Sequence, residues 1–183
     1  MVRTRVGYAG GSTLAPSYQN IGDHTETLQL DYDPRQISYR ELLEVFWSSR
    51  DASVPVYLQQ YRSIVFTMTP DQQYLAEEIR RQLEEERGVE IFTEIRPLEK
   101  FYLAEHYHQK YNLRQVSALY QEYQAIYPDP YDLMNSTAVA RVNGYLGGFG
   151  SLKRLGEELS LLGLSPKGEQ KLLEIAERRL MNP

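Results

Sequence analysis

The sequence predicts an α+β protein, and three observations carry that reading. Residues 3–9 and 25–32 alternate between two faces with the period of a β-strand. Two later segments open on capping boxes and continue at helical spacing. Beyond about residue 112 only helical patterns remain.

Arg3 to Ala9 places Val6 and Tyr8 on one face and enters the Gly10-Gly11 turn, so it is expected to be a strand. In residues 25–32, Leu28, Leu30 and Tyr32 share one face, and Thr25, Thr27, Gln29 and Asp31 share the other. After Asp33-Pro34, Ser38 and Glu41 form a capping box ahead of Leu42, Leu43, Phe46 and Trp47. Residues 49–60 read as a loop around Pro55, and Ser63 to Met68 as an interior strand, apolar on both faces. Thr69 and Gln72, with Pro70 at the first helical position, start a helix that buries Leu75, Ile79 and Leu83 and stops at Gly88. A strand over 90–95 and a tyrosine-rich helical stretch over 104–127 follow, closed by Pro128-Asp129-Pro130. Residues 144–150 read as a flexible glycine turn, and 152–162 with 165–180 as a helical hairpin. The division expected is an α+β core over 1–112 and a helical C-terminal extension over 113–183.

At 183 residues the chain is long enough for a domain of ordinary size, and its 42% hydrophobic and 25% charged residues are globular usage. Fifteen tyrosines against one tryptophan suit half-buried surfaces and polar-tipped pockets. A net charge of −5 argues against nucleic acid or an anionic membrane as partner, and Arg3 with Arg5 is too small a basic cluster to reverse that. No run approaches the roughly 20 apolar residues of a membrane span, and no signal-like core is present, so the expected setting is the cytoplasm. The chain has no cysteine, which removes disulfides, thiolate metal sites and thiol nucleophiles together.

His24 and Glu26 differ by even steps from Leu28, Leu30 and Tyr32, so one strand face should carry all five. A carboxylate on an apolar face is costly as a charge and can hold a proton for donation to a substrate. Alternatively the strand frays there and Glu26 sits in water. Tyr18, Tyr61 and Tyr8 are candidate phenol donors in a pocket, or packing residues at a half-exposed surface. His106 and His108 stand two apart, which points them in different directions on a helix, so no metal site is expected. The Gly144–Gly150 stretch lacks the lysine and serine of a phosphate loop.

An ordered set of short motifs then points to a family. Gly7-Tyr8-Ala9-Gly10-Gly11, Pro16-Ser17-Tyr18 and Gly22-Asp23-His24-Thr25-Glu26 are similar to its GYAGG, PxY and GHxE elements. The segment from Asp33-Pro34 through Ile37-Ser38-Tyr39 to Phe46-Trp47, then Gln60-Tyr61-Arg62-Ser63, Thr93-Glu94-Ile95, Phe101-Tyr102-Leu103-Ala104-Glu105 and Tyr107-His108-Gln109 follow in family order. Residues 5–111 thus resemble the A-type peptide methionine sulfoxide reductases. The resemblance implies a ferredoxin-like mixed sheet with packed helices, its first strand and helix missing here. It implies a thiolate that attacks the sulfur of methionine S-sulfoxide, free or in a peptide, and a glutamate that protonates the departing oxygen while tyrosines hold it. The resulting sulfenic acid is reduced by further thiols, usually thioredoxin's, with no prosthetic cofactor. By position Glu26 matches the proton donor and Tyr18 and Tyr61 the oxygen-binding tyrosines. His24 and Tyr8 complete the set as substrate-binding candidates.

The departures matter equally. The family's GCFW nucleophile motif, upstream of GYAGG, has no counterpart, and the loops before His24 and before QYRS are short. Family members commonly run VVRTRVGYAGG at this point. A valine codon such as GTG read as a start would give MVRTRVGYAGG, so Met1 is expected to be a misplaced start or a true truncation. The expected function is that of a peptide-methionine (S)-S-oxide reductase family protein, inactive as written. The alternatives are a sulfoxide-binding pseudoenzyme and a nonfunctional remnant.

Overall fold

The computed structural model describes residues 2–181 and divides them into two compact units. Residues 6–28 and 32–104 form one, and the described parts of 1–5, 29–31 and 105–183 form the other. Met1, on which the start-codon expectation falls, lies outside the described residues.

The mixed α+β character is borne out. Strands β1 (Arg3–Ala9), β2 (Thr25–Asp31) and β5 (Phe101–Leu103) make one sheet in the order β2-β1-β5. β5 runs antiparallel to β1, with Tyr8 opposite Tyr102. β3 (Ile64–Thr67) and β4 (Glu94–Pro97) form a second, parallel sheet, Ile64 facing Glu94 and Thr67 facing Pro97. β3 is therefore not an interior strand: Val65 and Thr67 are buried while Ile64 and Phe66 are half-buried. The strand expected over 90–95 begins later, at Glu94.

Local sequence accounts for the helices of this unit. Helix α1 (Tyr39–Ser48) starts where Ser38 Oγ accepts from the Glu41 amide at 3.2 Å and the Glu41 carboxylate accepts from the Ser38 amide at 2.7 Å. Helix α2 (Pro70–Arg87) starts where Thr69 Oγ1 accepts from the Gln72 amide, but Gln72 Oε1 accepts from Met68 rather than Thr69. It ends at Gly88 in the left-handed region, φ +64°. Leu43 and Trp47 of α1 pack with Ala76 and Ile79 of α2, Val65 of β3, Ala52 and Ile91.

The helical unit contains α3 (Tyr111–Arg114), α4 (Ser117–Ile126), α5 (Pro130–Asn135), α6 (Thr137–Leu146), α7 (Leu152–Glu158) and α8 (Pro166–Met181). Its core includes Leu113, Tyr123, Val142, Leu155 and Leu172. The single helical stretch expected over 104–127 is broken into a 3₁₀ turn, α3 and α4, with Lys110 at φ +55° between the first two. The flexible turn expected from Gly144 begins later, because α6 runs through Asn143-Gly144 to Leu146. Buried Glu158 accepts from Tyr145 Oη at 2.7 Å and pairs with Arg141, so its charge is matched.

Lys110 is a second buried ionisable group there, 5% exposed. Its Nζ donates to Thr4 O and Thr4 Oγ1 at 2.6 and 2.7 Å. Burial, with a smaller push from the Arg5 cation, holds its ammonium down to about 8.

Candidate functional site

The predicted site residues lie on β1 (Tyr8), on the loop between β1 and β2 (Tyr18 and His24), at the start of β2 (Glu26) and on the 3₁₀ turn Gln59–Tyr61 before β3 (Tyr61). The loop folds onto its own end. Asp23 Oδ2 accepts from the Ser12 amide and hydroxyl at 2.7 and 2.9 Å, and Oδ1 from those of Thr13 at 3.0 and 2.8 Å. Four donors, the backbone ones contributing most, hold the Asp23 carboxyl far below the usual carboxylate range.

His24 completes the clasp. It is 1% exposed, its Nδ1 accepts from the Gly11 amide at 3.1 Å, and Nε2 lies 2.8 Å from Thr13 O. Since Nδ1 must accept and Nε2 must donate, the ring is the neutral Nε2–H tautomer. The role the structure gives His24 is to hold the glycine turn, with both ring nitrogens spent on backbone. Gly11 is needed there because a Cβ would stand 2.6 Å from Asp23 C and His24 N. Tyr8 is 2% exposed and packs in the interior.

For Glu26 the structure follows the second of the two readings in its exposure, although the strand does not fray there. The carboxylate is not desolvated on an apolar face: Glu26 and Leu28 are both exposed, Leu28 at 56%. β2 is an edge strand of its sheet, and on this face Leu28 is exposed while Leu30 is half-buried. Glu26 is ordered instead by Gln60, whose Nε2 donates to Glu26 Oε1 at 2.5 Å.

The neighbouring glutamine fastens the same junction. Gln59 Nε2 donates to Asp23 O at 2.7 Å, and Gln59 O accepts from Thr25 Oγ1 at 2.9 Å. Three hydrogen bonds thus join the start of β2 to the turn carrying Tyr61. Tyr61 is 50% exposed, and Tyr18, within the short loop bridged by Ser17 and Asn20, is 47% exposed. Asp23, Gln59 and Gln60 were missed by residue-level reasoning. Gln60 was within reach of it, as the first letter of the QYRS motif.

Among the described residues no group of three His, Asp or Glu side chains is placed to hold a metal ion. No helix among them is long and apolar enough to cross a membrane.

Comparison with known proteins gives a consistent picture. The family profile described as peptide methionine sulfoxide reductase matches residues 1–128. The chain is 38% identical over 172 residues to a peptide methionine sulfoxide reductase of Drosophila melanogaster, covering 93% of this chain and 69% of that protein. It is 42% identical over 152 residues to peptide methionine sulfoxide reductase A5 of Oryza sativa subsp. japonica, covering 79% of this chain and 59% of that protein. Among solved structures it resembles methionine sulfoxide reductase A of Corynebacterium diphtheriae, with a TM-score of 0.53 at 31% identity over 62% of this chain and 63% of that one. The reduced form of Mxr1 from Saccharomyces cerevisiae gives a TM-score of 0.55 at 30% identity, over 61% of this chain and 70% of that one. The chain thus spans between 59% and 70% of the length of these relatives.

Proposed function

The chain belongs to the peptide methionine sulfoxide reductase family, and from that premise we propose that it recognises methionine S-sulfoxide, in peptides or free, at the junction of β2 and the 3₁₀ turn. Glu26 faces the sulfoxide oxygen as the group that would protonate it where a thiolate attacks the sulfur, and Tyr18 and Tyr61 donate hydrogen bonds to that oxygen. His24 and Tyr8 act behind these three, His24 by holding the loop and Tyr8 by packing under it. The observation that carries this reading is the Gln60–Glu26 hydrogen bond, which joins two motif segments 34 residues apart and leaves a carboxyl group and a tyrosine open to solvent.

Reduction moves the sulfoxide oxygen to a thiol sulfur. The S–O bond of the substrate breaks, the attacking thiolate becomes a sulfenic acid, and a dithiol such as thioredoxin's returns two electrons and releases water. This polypeptide contains no cysteine. We therefore propose that it binds sulfoxide without turnover, which is the pseudoenzyme reading, and that thioredoxin is partner only to a cysteine-bearing form. Residues 1–112 would hold this function and 113–183 form a helical extension that packs rather than binds ligand, in a cytoplasmic setting.

The test compares three peptides carrying methionine, its S-sulfoxide or its sulfone, by calorimetry and amide chemical shifts, on the purified chain and on Glu26→Gln. The sulfoxide peptide is expected to bind at least fivefold tighter than the other two, and Glu26→Gln to remove the preference. Equal binding of all three peptides counts against the site. Reduction of the sulfoxide by the chain in dithiothreitol counts against the absence of turnover.

A further inference from the structure

The α+β unit carries a surface cleft of about 380 Å³ that none of Glu26, Tyr18 and Tyr61 lines. The loop between β1 and β2 contributes Gly10 and Gly11 from its start and Asp23 from its end, and the region from β4 to β5 contributes Arg96, Lys100 and Tyr102. Gly10 lies in the left-handed region, φ +80°, and the Arg96 Nη1 atom is 3.7 Å from where a Cβ on it would stand. The nearest atom to that point is Phe66 Cζ at 2.7 Å, so the Phe66 ring and the positive φ keep position 10 to glycine, and the guanidinium lies in ordinary contact distance of the turn.

Both cations have unused capacity. Arg96 reaches Glu94 only at 3.8 Å, while the other Glu94 oxygen pairs with Arg62 at 3.2 Å. An exposed pair that long contributes little and leaves most of the guanidinium fork open. Lys100 is exposed, and among the described residues no ion pair ties it to a carboxylate; its Nζ sits 4.4 Å from the centroid of the Tyr102 ring. The acidic side is partly committed, because all four donors on Asp23 come from Ser12 and Thr13.

We propose that this cleft binds a carboxylate group of a peptide, from an acidic side chain or a free chain terminus. Arg96 offers a planar fork that matches a carboxylate, Lys100 adds a second positive charge, and the Tyr102 ring gives an apolar wall for the methylenes behind it. A single negative charge suits the balance better than a phosphate. Asp23 and Glu99 also line the cleft, so a dianion would face two carboxylates against two cations. The inference is independent of whether Glu26 donates a proton.

The probes are alanine pentapeptides followed by amide chemical shifts. One is blocked at both ends with a central glutamate, one has glutamine in its place, and one is all alanine with a free C-terminal carboxylate. Inorganic phosphate is the fourth. The glutamate peptide is expected to shift Gly10, Gly11, Lys100 and Tyr102 saturably and at least fivefold more tightly than the glutamine peptide, with Lys100→Gln and Arg96→Gln each losing at least threefold. The free-terminus peptide binding as well as or better than the glutamate peptide would support the same site and assign the carboxylate to chain ends. Equal binding of the glutamate and glutamine peptides, undiminished binding by the folded Lys100→Gln variant, or tighter binding of phosphate than of either carboxylate peptide would overturn the proposal.

Discussion

Gln60 Nε2 donates to Glu26 Oε1 at 2.5 Å, so an exposed carboxylate on an edge strand is positioned by a residue 34 places away. Without this bond the glutamate side chain would sample several rotamers in water. Gln60→Ala is expected to leave the melting temperature nearly unchanged while weakening sulfoxide-peptide binding by about 1 kcal/mol, near fivefold in Kd. Calorimetric titration of the variant checks this, and an unchanged Kd would mean that Glu26 is not positioned by Gln60.

Asp23 makes the loop acid-sensitive. Its folded carboxyl group titrates far below the unfolded reference of about 3.9, so the folded state binds the proton more weakly than the unfolded state. The stability it contributes is complete above that reference and is lost progressively as pH falls below it. Asp23→Asn is expected to flatten the pH dependence of urea unfolding below about pH 4. An unaltered acid limb in the variant would contradict the assignment.

Gly11 and Gly144 should respond to alanine with opposite signs. At Gly11 the new Cβ meets backbone of Asp23 and His24 at 2.6 Å, and overpacking of that kind costs about 1–3 kcal/mol. At Gly144, in α6, nothing lies within 4 Å of the added carbon, and alanine should stabilise by up to about 1 kcal/mol. Urea midpoints of the two variants decide it.

Lys110 predicts a rise in stability on the alkaline side. Its folded value of about 8 lies below the ordinary 10.5, so between these values the unfolded chain holds a proton that the folded chain has released. Stability therefore increases with pH across that window, by on the order of 3 kcal/mol for the full shift. Above about pH 10 Tyr145 opposes the trend, since burial and its bond to Glu158 push its phenol up to about 12 and the unfolded tyrosine ionises first. Lys110→Met should remove the rise between pH 8 and 10 in urea titrations.

The starts of α1 and α2 and the end of α2 were legible because a cap is a local device. Ser38 with Glu41, Thr69 with Pro70, and Gly88 each act within one turn, and the structure uses all of them. Burial of β2 was not legible. Alternation shows that Leu28 and Leu30 share a face, but whether anything covers that face depends on which strands pair with β2 and what packs above it. For the same reason the apolar run Ile64–Thr67 reads as interior although β3 has one strand partner among the described residues.

The candidate site divides along the same line. The sequence alone picked out Glu26, Tyr18 and Tyr61, the residues we propose to recognise the sulfoxide, through the order of the motifs around them, and it contains no cysteine. Only the tertiary structure decided how they are held. Gln60 reaches Glu26, Gln59 straps Asp23 and Thr25, and His24 spends both ring nitrogens on the glycine turn. These bonds span 11 to 36 residues, and hydrogen-bond partners at such separations are chosen by how the chain folds back on itself rather than by any neighbour in sequence.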